Sequence, residues 1–152
     1  IETTVNKIVP KGKFKTTDSL IKKLFTNLAN EFQLVCGIYY SYNKQKKVFS
    51  MLASYALQIE ETVNDFKMGE NLNGQAAVNQ EIMVISDIPE DYFTVESGLG
   101  KAKPRHIVII PFPGNKPTTA VLEFATFIEM PPNGTEILSK VALLMEEKIK
   151  QL

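Results

Sequence analysis

One acidic residue inside a hydrophobic run is the most informative chemical feature of this 152-residue chain. Glu123 lies in the middle of segment 119–127, in which apolar residues predominate. A carboxylate that is buried in such a segment must be paired, hydrogen-bonded or protonated. We therefore predict that Glu123 anchors either a ligand or a nearby loop, with Arg105 as one possible partner.

A second group of acidic residues, Asp87, Glu90 and Asp91, surrounds Pro89. Carboxylates this close together can bind a cation, but their spacing matches no calcium-binding loop, and Pro89 favours a simple turn. We predict no metal site here. Asp87 is instead expected to contact either a ligand or nearby backbone amides.

The chain has few candidates for a catalytic nucleophile or general base, because it contains one cysteine and one histidine. A single cysteine, Cys36, excludes an internal disulfide and a multi-cysteine metal site, and no neighbouring cation activates its thiol. His106 begins a predicted strand, where an ordinary edge residue is the simplest interpretation. Because no catalytic nucleophile–base pair can be recognised in the sequence, we predict that the chain is not an enzyme.

Two glycine-containing segments resemble nucleotide-binding motifs without completing them. Segment 69–75 has two glycines at the spacing of a phosphate loop, but Gln75 and Ala76 stand where that loop requires Lys and Ser or Thr. A tight turn before a short helix is the simpler interpretation. The Gly-x-Gly at 98–100 neither follows a strand nor opens a patterned helix, and it predicts a flexible loop.

Composition and charge narrow the class of partner. Hydrophobic residues make up 44% of the chain, and 17 basic residues balance 17 acidic ones. A neutral domain has no general attraction for phosphate backbones, so we predict no nucleic-acid partner. No segment approaches the roughly eighteen consecutive apolar residues of a membrane helix, and no signal peptide is visible. We expect a cytoplasmic location. The chain begins with Ile1 rather than Met, so we expect either a fragment of a longer polypeptide, whose parent protein can still be membrane-anchored, or an altered sequence.

The periodicity of the first half predicts a helix followed by a hairpin. Residues 1–16 form a lysine-bearing lead-in that we expect to be solvated. Apolar residues at helical spacing predict an amphipathic helix over 17–33, capped by Thr17, Asp18 or Ser19. Two alternating runs, 34–42 and 48–57, predict an antiparallel hairpin with Phe49, Met51, Ala53, Tyr55 and Leu57 on one face of its second strand.

The second half predicts a short helix at about 72–80, strands at 82–85, 106–112 and 118–128, and a C-terminal helix that begins after 133–135. Both faces of the strands at 106–112 and 118–128 are apolar. An antiparallel sheet with one wet face alternates apolar with polar residues, so we predict that both faces are covered. The terminal helices can cover one face, and the short helix with the irregular loop 86–105 can cover the other. A pocket under that loop is the expected binding site.

The predicted elements and several motifs together resemble the GAF domain, a small-molecule-sensing module of signalling proteins. The motifs are FKMGENLNGQAA at 66–77, ISDIPEDY at 85–92, ESGLG at 96–100, HIVIIPF at 106–112 and TAVLEFATF at 119–127. The resemblance covers residues 17–152, which we interpret as the sensory domain. It implies an α+β, GAF-like (profilin-like) fold. Such a fold has a central antiparallel β-sheet, with terminal helices on one face and a short helix plus a long loop on the other.

The resemblance also implies a regulatory, small-molecule-sensing input domain of a bacterial signal transduction protein, with an effector such as a histidine kinase on the same polypeptide. The ligand and any cofactor are not predicted. The residues expected to contact the ligand are Tyr55, Asp87, Tyr92, Leu99, Arg105 and Glu123. The family's cyclic-nucleotide, bilin and methionine-sulfoxide-reducing branches rely on motifs or cysteines that this chain lacks. The alternative is a ligand-free module that relays a signal through dimerisation.

Overall fold

The computed structural model describes residues 1–57, 63–86, 88, 95–97, 100–102 and 104–152. Within these residues, four α-helices and seven β-strands make up an α+β fold, as the sequence predicts. The helices are α1 (Glu2–Ile8), α2 (Thr17–Phe32), α3 (Asn71–Asn79) and α4 (Gly134–Lys150). The strands are β1 (Leu34–Asn43), β2 (Val48–Tyr55), β3 (Met83–Ile85), β4 (Val95–Ser97), β5 (Gly100–Ala102), β6 (His106–Phe112) and β7 (Ala120–Thr126).

A five-stranded sheet of order β2-β1-β7-β6-β3 forms the centre of the molecule. Each neighbouring pair of strands is antiparallel. The two central strands, β7 and β6, are buried along their whole length, which explains why their sequences are apolar on both faces. Strands β4 and β5 form a separate two-stranded ribbon.

One face of the central sheet, which we call the helix face, packs against α2 and α4, and α1 packs against these two helices. Successive side chains of a strand point to opposite faces, so alternate residues of β6 and β7 contribute here. The cluster joins helical residues such as Leu24 and Leu138 to Val108, Leu122 and Phe124 of the sheet.

The opposite face, which we call the front face, has its own hydrophobic core. Small residues of α3, Ala76 and Ala77, pack with Ile107, Ile109 and Val121 of the sheet. Three aromatic rings extend this core toward β2, because Phe66 stacks on Phe49 and contacts Tyr40 edge-on. The prediction of a sheet covered on both faces is therefore confirmed. The prediction that 86–105 is irregular throughout is wrong, because β4 and β5 lie within this segment. Residues 87, 89–94, 98, 99 and 103 lie outside the described residues.

Strand β2 departs from the regular alternation that the sequence predicts. Tyr39 pairs with Ala53, while the next residue, Tyr40, pairs with Met51, so Leu52 is an extra residue in a β-bulge. A one-residue insertion moves every later side chain to the other face. Phe49 consequently packs in the front core, whereas Ala53 and Tyr55 pack on the helix face. The prediction that these residues share one face is wrong.

The N-terminal segment is also more structured than predicted. Residues 2–8 form α1, and Val5 and Ile8 are buried against the other helices, so the expectation of a solvated lead-in is wrong for this part. Burying each of these side chains contributes roughly 1.5–3 kcal/mol. Helix α2 is capped by Thr16 rather than by a later residue, because its hydroxyl oxygen accepts from the Ser19 N–H at 3.1 Å.

Candidate functional site

Three polar side chains meet in the apolar front core, and we call them the front polar cluster: Glu123 of β7, Asn73 of α3 and Tyr40 of β1. All three residues are at most 6% exposed. The Asn73 amide nitrogen donates to a Glu123 carboxylate oxygen at 3.2 Å. The Tyr40 phenol lies close enough to the same carboxylate for the Glu123 charge to raise its pKa.

The sheet register explains why Glu123 lies in such an apolar environment. Its neighbours on the two adjacent strands are Ile38 of β1 and Ile109 of β6, and both are buried. Tyr40 pairs with Val121, two residues from Glu123, so the phenol is a diagonal neighbour within reach of the carboxylate. Burial raises the pKa of the Tyr40 phenol above its ordinary value of 10.0, and the Glu123 charge raises it further.

The glycine-rich segment before α3 positions Asn73. Asn71 has a positive φ of 55°, and its side-chain oxygen accepts from the Asn73 N–H at 3.0 Å. Gly74 packs so closely on the preceding turn that an added Cβ would lie 2.5 Å from the Lys67 carbonyl oxygen. Gly74 therefore permits α3 to approach the preceding turn closely, and Gly69, with a positive φ of 80°, lies in that turn, as the sequence interpretation of this segment predicts.

The orientation of the Asn73 amide is determined by its neighbour. Because the carboxylate of Glu123 is an acceptor, the amide must present its nitrogen to it. The other end of the amide, Oδ1, is buried and has no hydrogen-bond partner in the part of the chain that the structure describes. A buried acceptor without a partner costs about 1–3 kcal/mol, so this atom is the most unusual feature of the front core.

The predicted pairing of Arg105 with Glu123 is wrong. The Arg105 guanidinium instead donates to Glu129 at 2.8 Å, and both side chains are more than half exposed. Arg105 precedes β6 by one residue, whereas the residue of β6 opposite Glu123 is Ile109. Four residues of strand separate these positions, which is about 13 Å.

The remaining predicted ligand-contacting residues are not brought together with Glu123 among the described residues. The ring of Tyr55 stacks on Phe25 of α2, with 5.9 Å between ring centroids, so it lies on the helix face. Asp87, Tyr92 and Leu99 lie outside the described residues. Their contact with a ligand stays a prediction.

His106 is more buried than an edge residue, and that interpretation is wrong. Strand β6 lies between β7 and β3, and His106 is 8% exposed. Its Nδ1 is hydrogen-bonded to the Ser86 hydroxyl at 3.0 Å, and its buried Nε2 has no partner among the described residues. Twenty residues separate Ser86 from His106, so no local pattern indicates this pair.

Within the described ranges, no group of three or more His, Cys, Asp or Glu side chains is placed to hold a metal ion. Among these residues, none of the helices combines the length and apolar character needed to span a bilayer.

The contact of Asn73 with Glu123 was not predicted, although Asn73 belongs to the motif at 66–77. Its position in α3 could have indicated that it is buried. Asn73, Ala76 and Ala77 share the helical spacing of a buried face, so the asparagine occupies a core position. A buried asparagine requires a polar partner, and Glu123 is the acidic residue of the apolar strands.

Comparisons with known proteins establish the fold. No family model matches the chain, and neither does any curated protein sequence. The chain is similar to the GAF domain of a phosphoenolpyruvate-protein phosphotransferase from Coxiella burnetii, with a TM-score of 0.73, 12% identity, and coverage of 99% of this chain and 90% of that one. It is also similar to the A. aeolicus nlh2 GAF domain in an inactive state, with a TM-score of 0.66, 16% identity, and coverage of 95% and 89%. The chain therefore has the GAF fold.

Other proteins with this fold are enzymes. The chain is similar to a type II free methionine-R-sulfoxide reductase from Thermoplasma acidophilum, with a TM-score of 0.66, 11% identity, and coverage of 88% of this chain and 92% of that one. Reductases from Staphylococcus aureus and Neisseria meningitidis match as well. This finding overturns the prediction that the chain is not an enzyme, because the same architecture carries out catalysis in several structural neighbours.

Proposed function

We propose that the chain is a regulatory domain that binds a small molecule at the front face of its sheet. The observation that carries this proposal is the front polar cluster. Buried polar groups in a core are normally hydrogen-bonded, and here an amide oxygen beside a buried carboxylate has no partner among the described residues. Polar groups that converge inside an apolar surrounding are typical of small-molecule sites.

The proposed biological setting is a cytoplasmic input domain of a bacterial signal transduction protein. The sensory unit is proposed to span residues 17–152, with an effector such as a histidine kinase on the same polypeptide. Helices α1 and α4 pack together on the helix face, where Lys140 donates to Glu2 at 3.0 Å. Ligand binding on the front face would bias the packing of these terminal helices, which would pass the change onward.

The experiment that tests ligand binding is a thermal-shift screen of the purified chain against a metabolite library. We expect a stabilising compound whose effect is lost in Glu123→Ala. Thr119→Ala is the matched control, because it removes a hydrogen bond to Glu146 on the helix face and leaves the front polar cluster intact. A screen without a stabilising compound, together with a crystal structure whose front core is fully packed, would refute the proposal.

The alternative is a ligand-free module that relays a signal through dimerisation. Light scattering of this chain and of a longer version of the parent protein distinguishes the two. A dimer in which no compound shifts the melting temperature supports the relay module. A monomer at both lengths contradicts it.

Catalysis is a second candidate, because several structural neighbours are named as free methionine-R-sulfoxide reductases. The reacting group would be the thiol of Cys36, which lies in the front core. The thiol would take the sulfoxide oxygen to become a sulfenic acid, and an added dithiol would reduce it again with release of water. Conversion of the sulfoxide to methionine that is lost in Cys36→Ser would support this candidate; equal activity in both proteins would contradict it.

A further inference from the structure

We propose that the ligand of the front face carries a hydrogen-bond donor of the N–H type, such as a protonated amine, which Asn73 Oδ1 accepts. This inference rests on the proposed function, since it specifies the chemistry of the same site. It starts from the one atom of the front polar cluster whose hydrogen bond is missing in the described structure.

The direction of the missing hydrogen bond follows from the chemistry of the amide. The Asn73 nitrogen is held by Glu123, so the amide cannot rotate to exchange its two ends without placing two acceptors against each other. Oδ1 can only accept. A ligand acceptor placed there, such as a carbonyl or carboxylate oxygen, would leave both oxygens buried without a hydrogen.

The position of Asn73 is also held on the backbone side. Its N–H donates to Asn71 Oδ1, and the Gly74 N–H donates to the Glu70 carbonyl oxygen at 3.0 Å. Because the backbone of the first turn is fixed by these bonds, the amide is preorganised for its partner. A preorganised acceptor distinguishes donors from non-donors more sharply than a mobile one.

The surrounding carboxylate favours a nitrogen donor that carries charge. Hydrogen bonds from ammonium groups are stronger than neutral ones. The Glu123 carboxylate lies beside Asn73, so its charge favours a cationic donor at this position over a neutral one. The cluster therefore presents the acceptor oxygen of Asn73 to a ligand.

The test uses a panel of primary amines, each matched with its fully N-methylated and its deaminated analogue. Binding to the wild-type chain is measured by thermal shift and by titration calorimetry. We expect the amines to bind, with each matched analogue about tenfold weaker because the buried acceptor then stays unsatisfied. Analogues that bind as tightly as their amines would overturn the inference while leaving the proposed function intact.

A variant adds an independent test. Asn73→Leu keeps the approximate side-chain volume and removes the acceptor, so the preference for amines over methylated analogues should disappear. Thr119→Ala on the helix face should keep the preference. If Asn73→Leu still prefers amines over their methylated analogues, the assignment of the contact to Oδ1 is refuted. If that variant does not fold, the comparison of amines with their analogues on the wild-type chain decides the inference. A wild-type chain that binds no compound of any class would overturn both the inference and the proposed function.

A buried water is the competing occupant of this position, since ordered waters commonly satisfy buried polar groups. A crystal structure with a bound amine distinguishes the two. A ligand nitrogen within hydrogen-bond distance of Oδ1 supports the inference. A water that remains on Oδ1 in the complex, with the ligand nitrogen elsewhere, would overturn it.

Discussion

Two buried glutamates on opposite faces of one sheet have different surroundings. Glu146 of α4 lies on the helix face and Glu123 lies on the front face, and both are less than a tenth exposed. Each is close to one of two consecutive tyrosines of β1. The Glu146 charge acts on Tyr39, and the Glu123 charge acts on Tyr40.

The hydrogen-bond partners of the two carboxylates show which glutamate makes a structural contact and which belongs to the candidate site. Glu146 accepts from the Thr119 hydroxyl at 2.9 Å, which ties α4 to the residue before β7. Glu123 accepts from Asn73, whose own oxygen has no partner among the described residues. The difference teaches that burial of a charge is not by itself a sign of function. The unsatisfied partner is what marks the front face.

The largest effect is expected from removing the front carboxylate. In Glu123→Ala, the Asn73 amide nitrogen loses its acceptor in an apolar core, and the other groups that contact the Glu123 carboxylate lose it as well. We expect the free energy of unfolding to fall by about 3 kcal/mol, since each buried group without a partner costs roughly 1–3 kcal/mol. Urea denaturation measures this change.

Glu123→Gln is the matched control for that prediction. The amide oxygen of glutamine can still accept from Asn73 or Tyr40, so the loss should be about 1 kcal/mol. If Glu123→Ala were as stable as the wild-type chain, the front polar cluster would not contribute to the fold, and the contrast with Glu146 would disappear.

An intermediate effect is expected at alkaline pH. Burial and a neighbouring carboxylate raise the folded-state pKa of both Tyr39 and Tyr40 above the ordinary 10.0. The stabilisation is complete below pH 10 and is lost as pH rises above it, because the unfolded phenols ionise first. Each phenol contributes a loss of up to about 1.4 kcal/mol per pH unit.

Urea denaturation between pH 9 and pH 11, with ultraviolet absorbance of the phenolate, checks the alkaline prediction. Tyr39→Phe on the helix face and Tyr40→Phe on the front face should each make the decline in the free energy of unfolding with pH less steep. A decline that is unchanged in both variants would show that other groups cause it.

The smallest effect is expected at Arg105. Its ion pair with Glu129 is exposed, so Arg105→Gln should change the free energy of unfolding by about 0.5 kcal/mol or less. The effects of Arg105→Gln and Glu123→Gln should add, because the two residues do not contact each other. If the two changes in the free energy of unfolding did not add, Arg105 and Glu123 would interact after all. The contrast between the two glutamates would then be weaker.

The periodic parts of the chain were predictable because they follow from local geometry. Helical spacing of apolar residues placed α2 and α4, and two-sided apolar strands indicated a sheet covered on both faces. Burial of Glu123 followed from its position in β7. These inferences depend only on the repeat of a helix or a strand.

The contacts of the site were not predictable in the same way. Fifty residues separate Asn73 from Glu123, so their bond depends on how α3 packs on the sheet. Arg105 was one possible partner of Glu123, but the distance along β6 excludes the contact. The sequence pattern predicted Tyr55 on the same face of the strand as Phe49. The bulge at Leu52 moves the two residues to opposite faces, but it does not interrupt the alternation of apolar residues in the sequence, so the pattern does not reveal it.

The bulge at Leu52 has a consequence beyond the placement of Tyr55. Strand β2 is an outer strand of the sheet, and Met51 and Leu52 expose apolar side chains there. An unbroken apolar border of this kind is a template for intermolecular strand addition and fibril growth. The extra residue interrupts the even row of backbone donors and acceptors, and Phe49 of β2 is already paired with Phe66, so this border is a poor template for strand addition.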